Sequence, residues 1–440
     1  MLKELMEKWA VVSYAYKRVL ASEALDLVAQ MASAVAVPWW IATTGGAKDL
    51  AIYGITLAIV SLLLAPVLSP FGDRFSKRSQ IVFGQTALTV PALMLALLAS
   101  THQYHIGLLI VAGVMMLMAR TFVDASQMTI PVELEPAEHL PRAIGLQKLV
   151  QSMGRLAGPA IAGGVLAAGG TAATLWLYFL LTLLSATVAR GIPPSRTSAR
   201  RAGGFAKWKT DMRAGLIAKW TVPLERGWTL VNFLVWIFIG PGFTMFMALK
   251  VKSLNLSGGW LGACEAALSI GMLAGALGLS DRLVQRFGRY HIRIWAAATE
   301  GIALALAGQV SSPYILLCAF WIAGVANTSM SLVGVTHRAL AVPPDFRVRL
   351  TAVSQMCTQI ANMIGPAIAG IALLHWPVST VYTAFGLSAM VFAFGFLLVP
   401  RSREFFGLSH EDVRDWYRTQ YPSAFPESAP PTQTPAAQAS

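Results

Sequence analysis

Charge is what this sequence has least of. Asp, Glu, Lys and Arg together make up 12% of its 440 residues, about half the ~25% usual in a soluble globular domain. Such a balance excludes a chain whose main solvent is water. Cysteine is almost as scarce: Cys264, Cys318 and Cys357 each fall inside an apolar run, without metal-ligand spacing or a disulfide framework, and read as small core residues. There is no Walker A sequence, no GxGxxG at a strand–helix junction, no nucleophile motif and no cluster of metal ligands. The expectation is therefore no enzyme, no cofactor, no metal and no ATP drive within this chain. A formal net charge of +13 does not point to nucleic acid, because the basic residues sit between apolar segments rather than in one basic domain.

What is present is hydrophobicity, at 55% of residues and a mean hydropathy of +0.59. Apolar stretches long enough to cross roughly 30 Å of hydrocarbon recur along the chain. They are expected near 19–42, 50–70, 80–100, 107–130, 144–168, 171–189, 228–248, 258–280, 291–311, 313–336, 351–374 and 377–399. Short connections such as Gly169-Gly170 and Ser311-Ser312 make their flanking spans antiparallel neighbours. The expected fold is all-α: a polytopic membrane protein of twelve transmembrane helices in two pseudo-symmetric six-helix bundles.

Lys and Arg give the orientation. One set of loops holds Arg74, Lys77 and Arg78; Arg142; Arg282, Arg286 and Arg289; and Arg338, Arg347 and Arg349. The alternate loops hold only Lys48, Lys250 and Lys252. The rich set is read as cytoplasmic, and both termini fall on that side. Residues 1–18 read as an interfacial amphipathic segment, because Lys3, Glu4, Glu7 and Lys8 mix with Leu2, Leu5, Met6 and Trp9 without a signal-peptide pattern. Bundles are expected over 19–189 and 228–399. Between them, 190–227 carries nine basic residues, with Phe205, Trp208, Met212, Leu216 and Trp220 at helical spacing, and reads as a linker with a helix on the inner membrane surface. Residues 400–440 read as a soluble tail with a Pro/Ala/Ser/Gln disordered end in which Ser409 and Asp412 cap a short helix.

The two halves share a hexapeptide, Gly158-Pro159-Ala160-Ile161-Ala162-Gly163 and Gly365-Pro366-Ala367-Ile368-Ala369-Gly370, separated by 207 residues. The same offset aligns Pro136 with Pro343 and Arg142 with Arg349. Half a chain between copies indicates two parallel six-span repeats, the plan of many secondary transporters. Gly158, Pro159, Gly365 and Pro366 are then expected on helices packed closely at the interface between the halves.

The loop Ser69-Pro70-Phe71-Gly72-Asp73-Arg74-Phe75-Ser76-Lys77-Arg78 resembles the G-x-L-A-D-R-x-G-R-[RK] signature of the major facilitator superfamily. A degenerate second copy reads Arg286-Phe287-Gly288-Arg289. The segments from Pro131 through Pro136, Leu140 and Arg142 to Pro159, and Asp211 to Leu216, resemble the bacterial branch containing the enterobactin exporter. The resemblance implies an electrochemically driven transporter in the cell (inner) membrane, exporting a small molecule such as a siderophore or amphipathic drug in exchange for protons, as a monomer. A lipid or lysophospholipid flippase of the same fold is the alternative, and a non-transporting membrane sensor a more distant one. It also implies a cytoplasmic gate, with Asp73 pairing with basic groups among Arg74, Lys77, Arg78, Arg286 and Arg289 and with the N-terminus of span eleven.

Ionisable side chains at bilayer depth are costly, so each is a candidate for function. Span one carries Glu23, Asp26 and Gln30 on one face; span four carries Arg120 and Asp124, spaced to pair on one turn. Glu23, Asp26, Arg120 and Asp124 are the candidates for proton coupling, with Glu23 read as nearer the cytoplasmic end. Lys148 and Arg155 add charge to span five. Gln30, Asn232, Glu265, Glu300 and Asn327 are the candidates for the substrate cavity. Trp236 and Trp321 lie deep enough to face it, although packing is their more ordinary use.

Overall fold

The computed structural model describes residues 12–72, 76–127, 129–136, 138–193, 205–409 and 411–425. Of the expected interfacial segment 1–18, residues 1–11 lie outside the described residues, as do the signature residues Asp73 and Arg74 and the end beyond 425, whereas Tyr14–Arg18 already belong to the first helix.

Hydropathy and caps define the elements. Helix α1 (Tyr14–Trp40) starts where Ser13 caps it, its hydroxyl accepting from Tyr16 N at 3.1 Å. A π-helical turn over Ile41–Gly45 leads to Gly46 at φ 77°, where the chain reverses into α2 (Gly46–Gly72). Ser76 caps α3 (Lys77–Ser100), which is followed by α4 (Ile106–Gln127). A continuous helical segment, Leu140–Arg190, is divided by Gly170 at φ 71° into α5 (140–169) and α6 (171–190). A side chain with Cβ is strained at such an angle, so the Gly169-Gly170 turn depends on glycine.

The second half repeats the plan. Helix α7 (Pro223–Pro241) runs on through Gly242–Phe246 and Met247–Ser253. It begins five residues earlier than hydropathy suggested, because Pro223 at the first turn needs no hydrogen bond there. Helices α8 (Gly258–Ala274), α9 (Arg289–Gln309), α10 (Pro313–Ala341), α11 (Pro344–Ala372) and α12 (Val378–Phe394) follow. Eight described helices are long and apolar enough to cross a membrane. Two of them are folded back at Gly46 and Gly170, and α9 and α11 complete twelve segments among the described residues. All the connections between consecutive pairs, and both described ends of the chain, alternate so that the ends share one side, called here the terminal face.

Within the halves α1 packs along the α5–α6 segment and α9 along α12; between them α5 packs on α8 and α2 on α11. The repeated hexapeptide explains this symmetry. A Cβ on Gly158 would stand 2.6 Å from Met31 of α1, and one on Gly365 would stand 2.4 Å from the Ile237 carbonyl of α7. A Cβ on Gly163 would stand 2.6 Å from Gly262 Cα of α8, and one on Gly370 would stand 2.7 Å from Ala51 of α2. Each copy thus packs its first glycine inside its own half and its last against the other half. At the face opposite the termini the halves are also tied by Lys252, which donates to the carbonyls of Ala42 at 2.6 Å and Thr43 at 3.2 Å.

The expected linker helix forms over Phe205–Thr221; its inward face is Gly215, Ala218 and Lys219, while Leu216 and Trp220 point outward. Small residues permit the close approach to α11, where a Cβ on Gly215 would meet the Arg349 carbonyl at 2.7 Å. The tail after Arg401 is not simply a solvated extension. Phe405, Phe406, Trp416, Tyr417 and Phe425 are buried against Trp228, Phe346 and Phe396 at the terminal end of the second half, because their apolar area outweighs the neighbouring charges. His337 donates to the Phe405 carbonyl at 2.8 Å, and Asp415 N to that of Leu340 at 3.2 Å. The expected Ser409–Asp412 cap is present, with Asp412 N on the Ser409 hydroxyl at 3.1 Å, but it opens a series of turns and the helix itself is Trp416–Gln420. Cys318 is exposed, not a core residue, whereas Cys264 is buried and Cys357 half-buried.

Candidate functional site

The first half encloses a polar cluster between α1, α4 and α5. Arg120 reaches from α4 to α1 and holds Asp26 with both prongs of its guanidinium, Nη1 on Oδ2 and Nη2 on Oδ1, the latter at 2.9 Å. Planar two-point pairing of this kind is the strongest arginine–carboxylate geometry. Asp26 is 1% exposed. The pairing differs from the expectation that Arg120 and Asp124 would meet on one turn: Asp124 lies on the exposed side of α4. A bond between adjacent turns loses to one across helices when the partner is buried and otherwise unpaired.

Glu23, one turn before Asp26, is buried rather than a solvated entry residue. Gln147 donates to its Oε2 at 2.9 Å and Gln151 to its Oε1 at 2.7 Å. These two glutamines of α5 were not singled out in the sequence, since neutral amides carry no charge signal. The Tyr178 hydroxyl is buried without a hydrogen-bond partner among the described residues. Gln30 is half-buried, while Lys148 and Arg155 lie on the exposed side of α5.

The second half holds its charges differently. Glu300 of α9 is 0% exposed and accepts from Asn327 of α10 at 2.8 Å, leaving its Oε2 without a partner among the described residues. The two candidates therefore meet, across 27 residues of sequence. Two turns earlier on α9, Arg293 donates to Asn232 of α7. Its guanidinium lies 5.6 Å from the Trp228 ring centre and 5.1 Å from that of Phe396. Glu265 on α8 is half-buried and does not join either group.

Nearer the terminal face, Glu225 takes Arg338 at 2.5 and 2.8 Å, Lys219 at 3.1 Å and the Tyr417 hydroxyl at 2.7 Å. Lys219 also donates to Ser354 at 2.9 Å. Burial pushes the Lys219 ammonium below its ordinary value, against the opposing pull of Glu225. Burial, and then the charge of Glu225, push the Tyr417 phenol well above 10.0. This network escaped sequence reading because Glu225 and Lys219 lie in a basic linker and Tyr417 in the tail. Above it lies a cavity of 220 Å³ lined by Asn232, Trp236, Arg293, Ser331, Ser354 and Thr358, among others. Trp236 stands on its wall and donates to Asn362 at 2.9 Å; its role is not packing alone. A second hollow, of 560 Å³ between the short helix Ser280–Phe287, α9 and α10, includes Trp295 and Trp321 and has no ionisable side chain in its lining.

Among the gate candidates, Arg78 donates to the carbonyls of Ile192 and, at 3.4 Å, Arg190. Arg289 donates to that of Leu408 at 3.2 Å, and Arg286 lies over Phe287. Lys77 begins α3. Gln359 of α11 donates to Ser61 of α2, a side-chain bond between the halves.

Twelve helices in two six-helix halves, with ion pairs and a cavity lined by charged and polar groups, define a multi-pass membrane transporter. The sequence profile of the Major Facilitator Superfamily matches residues 19–299 and 279–412, and the chain belongs to that family. It is 21% identical over 342 residues to YfiS, an uncharacterised MFS-type transporter of Bacillus subtilis (strain 168), covering 74% of this chain and 78% of YfiS. The fold is similar to that of the nucleoside transporter NupG, with a TM-score of 0.68 at 12% identity over 90% of this chain and all of NupG. A bacterial homologue of the iron transporter ferroportin in an inward-facing state also gives 0.68, at 17% identity, covering 87% of this chain and 98% of that structure. A D-xylose–proton symporter gives 0.64 at 14% identity, covering 88% and 98%.

Proposed function

We propose that this chain is a proton-coupled secondary transporter working by alternating access, with the buried Arg120–Asp26 pair as its coupling element. That pair is the observation that carries the reading. An ion pair out of water persists only while both partners are charged. Protonation of Asp26 would release Arg120 from α1, and Asp124, one turn further along α4, supplies a second acid that the freed arginine can take. The exchange links a proton to the relative position of α1 and α4, and through α5 to the interface with α8. Glu23, fixed by Gln147 and Gln151, holds the terminal half of α1 against α5 during that movement.

Orientation with both termini in the cytoplasm, an inner-membrane location and action as a monomer belong to this reading. So does a gate at the terminal face built from Asp73, Arg74, Lys77, Arg78, Arg286 and Arg289. Export in exchange for protons, and a siderophore-like or amphipathic cargo, rest on the resemblance to the enterobactin-exporter branch alone.

The test has two stages. Solutes retained by cells lacking the protein identify a cargo, and exchange of that cargo against a pH gradient is then measured in proteoliposomes. Asp26→Asn should abolish the dependence on the gradient while leaving downhill exchange. Gradient dependence equal to that of the unaltered protein overturns the coupling role of Asp26, and the absence of gradient dependence in the unaltered protein overturns proton coupling altogether.

A further inference from the structure

A buried arginine is stable when a carboxylate neutralises it, as Asp26 does for Arg120. Arg293 lacks such a partner. It is 4% exposed, and no acidic side chain of the described residues stands within ion-pair distance of it. Its contacts are one neutral amide, Asn232, and the faces of Trp228 and Phe396. Its Nε is buried and has no hydrogen-bond partner among the described residues. Glu300 on the same helix is two turns away, about 10 Å along the axis; its charge acts on Arg293 from that distance, while its hydrogen bond goes to Asn327.

The wall around Arg293 raises the positive charge further. Lys219 and Arg338 both border the same cavity, and they share a single carboxylate, Glu225. Two cations on one anion leave one positive charge, and Arg293, which Glu300 offsets only from a distance, adds to it. The remaining polar lining carries no charge: the Thr229, Ser354 and Thr358 hydroxyls donate to carbonyls of their own helices, and the Ser331 hydroxyl faces the cavity without such a bond among the described residues. Trp236 gives the cavity an aromatic side. A volume of 220 Å³ admits a small charged group and part of the body that carries it.

We propose that this cavity binds an oxyanion group of the cargo, a carboxylate or a phosphate, on Arg293. The proposal rests on the chain being the transporter described above and names the chemical class it carries. Arg293 supplies a fork that matches two oxygens, Lys219 and Arg338 supply the longer-range field, and Asn232 positions the fork. Asn232 is a positioning residue: it orients Arg293 without neutralising it, which keeps the charge available for a ligand.

The experiment uses the full chain in phosphatidylcholine nanodiscs, with inorganic phosphate and benzoate as probes and calorimetry as readout. The unaltered protein should bind at least one probe with a Kd of about 1–10 mM, the strength expected of a fragment making a single charged contact. Arg293→Gln should weaken that binding about tenfold or more, and Arg293→Lys less, since it keeps the charge and loses the fork. Asn232→Asp leaves side-chain size almost unchanged and gives Arg293 an internal carboxylate. It should also weaken binding about tenfold, and it keeps the test decisive if Arg293→Gln fails to fold. Arg282→Gln, at an exposed position on the short helix Ser280–Phe287, should bind as the unaltered protein does. Loss of probe binding in nanodiscs containing phosphatidylglycerol would assign the oxyanion to a lipid headgroup; unchanged binding would assign it to a soluble solute. Failure of the unaltered protein to bind either probe, or binding by Asn232→Asp equal to it, overturns the proposal. No gradient is involved, so the site and the coupling role of Asp26 stand or fall separately.

Discussion

Arg120 and Arg293 are two arginines inside the same membrane protein with opposite electrostatic surroundings. Arg120, in the first half, is closed by the two oxygens of Asp26, and its charge is spent within the helix bundle. Arg293, in the second half, has an asparagine, two aromatic faces and a cavity. In the proposed function, proton binding would alter the first arrangement by removing an internal partner, and in the proposed cavity an anion would alter the second by providing an external one. The repeat built both halves on one plan, as the paired glycine contacts of α5 and α11 show. The buried charges therefore follow local substitutions, and the asymmetry between the two halves lies in whether the residue an arginine bonds to carries a charge.

The sharpest way to break this comparison is to remove one arginine at a time and measure thermal unfolding of the purified protein in detergent. Arg120→Leu strands Asp26 in the bundle and should cost about 3–5 kcal/mol, most of it recovered in the double variant with Asp26→Asn. A cost close to zero for the single variant would mean that the pair is not the element holding α1 to α4. Next in size is the interface on which both halves depend. Gly163→Leu forces a side chain against Gly262 and should destabilise by about 1–3 kcal/mol and slow exchange. Gly164→Ala, at the neighbouring position where a Cβ meets nothing within 4 Å, should leave both unchanged.

Arg293→Gln should cost only about 1 kcal/mol, the scale of a hydrogen bond to a neutral amide rather than of a broken ion pair. If it costs as much as Arg120→Leu, Arg293 has an internal counter-charge and the contrast between the halves fails. The smallest effect concerns the tail. The folded state holds the Tyr417 proton more tightly than the unfolded chain does, through burial and then Glu225. Its contribution is present below pH 10.0 and is lost as pH rises above it. Proteolysis of the tail should therefore accelerate above that pH in the unaltered protein. Tyr417→Phe should remove this pH dependence and cost about 0.5–1.5 kcal/mol of tail docking.

Much of the fold was legible because hydropathy, loop charge and caps are local. The turn at Gly169-Gly170, the offset of the hexapeptides and the helix in the linker all follow from residues close together in the chain. The site was legible only in its ingredients. Asp26, Arg120, Glu300 and Asn327 stood out as polar groups at bilayer depth, yet Arg120 was assigned to the neighbour four residues on rather than to Asp26. Gln147 and Gln151 carry no charge to draw notice. Arg293 lies within the ninth expected span but was not singled out among the charges at that depth, and the aromatic tail read as a soluble end.

Composition and periodicity by themselves determined that this chain is helical, spans a membrane and is made of two repeats, since each of those properties is set by the free energy of a segment against its solvent. Which charge meets which was decided by the tertiary structure alone. Pairing depends on bringing residues such as Asp26 and Arg120, or Glu225 and Tyr417, within about 3 Å across helices, and desolvation then makes the reachable partner the one that counts.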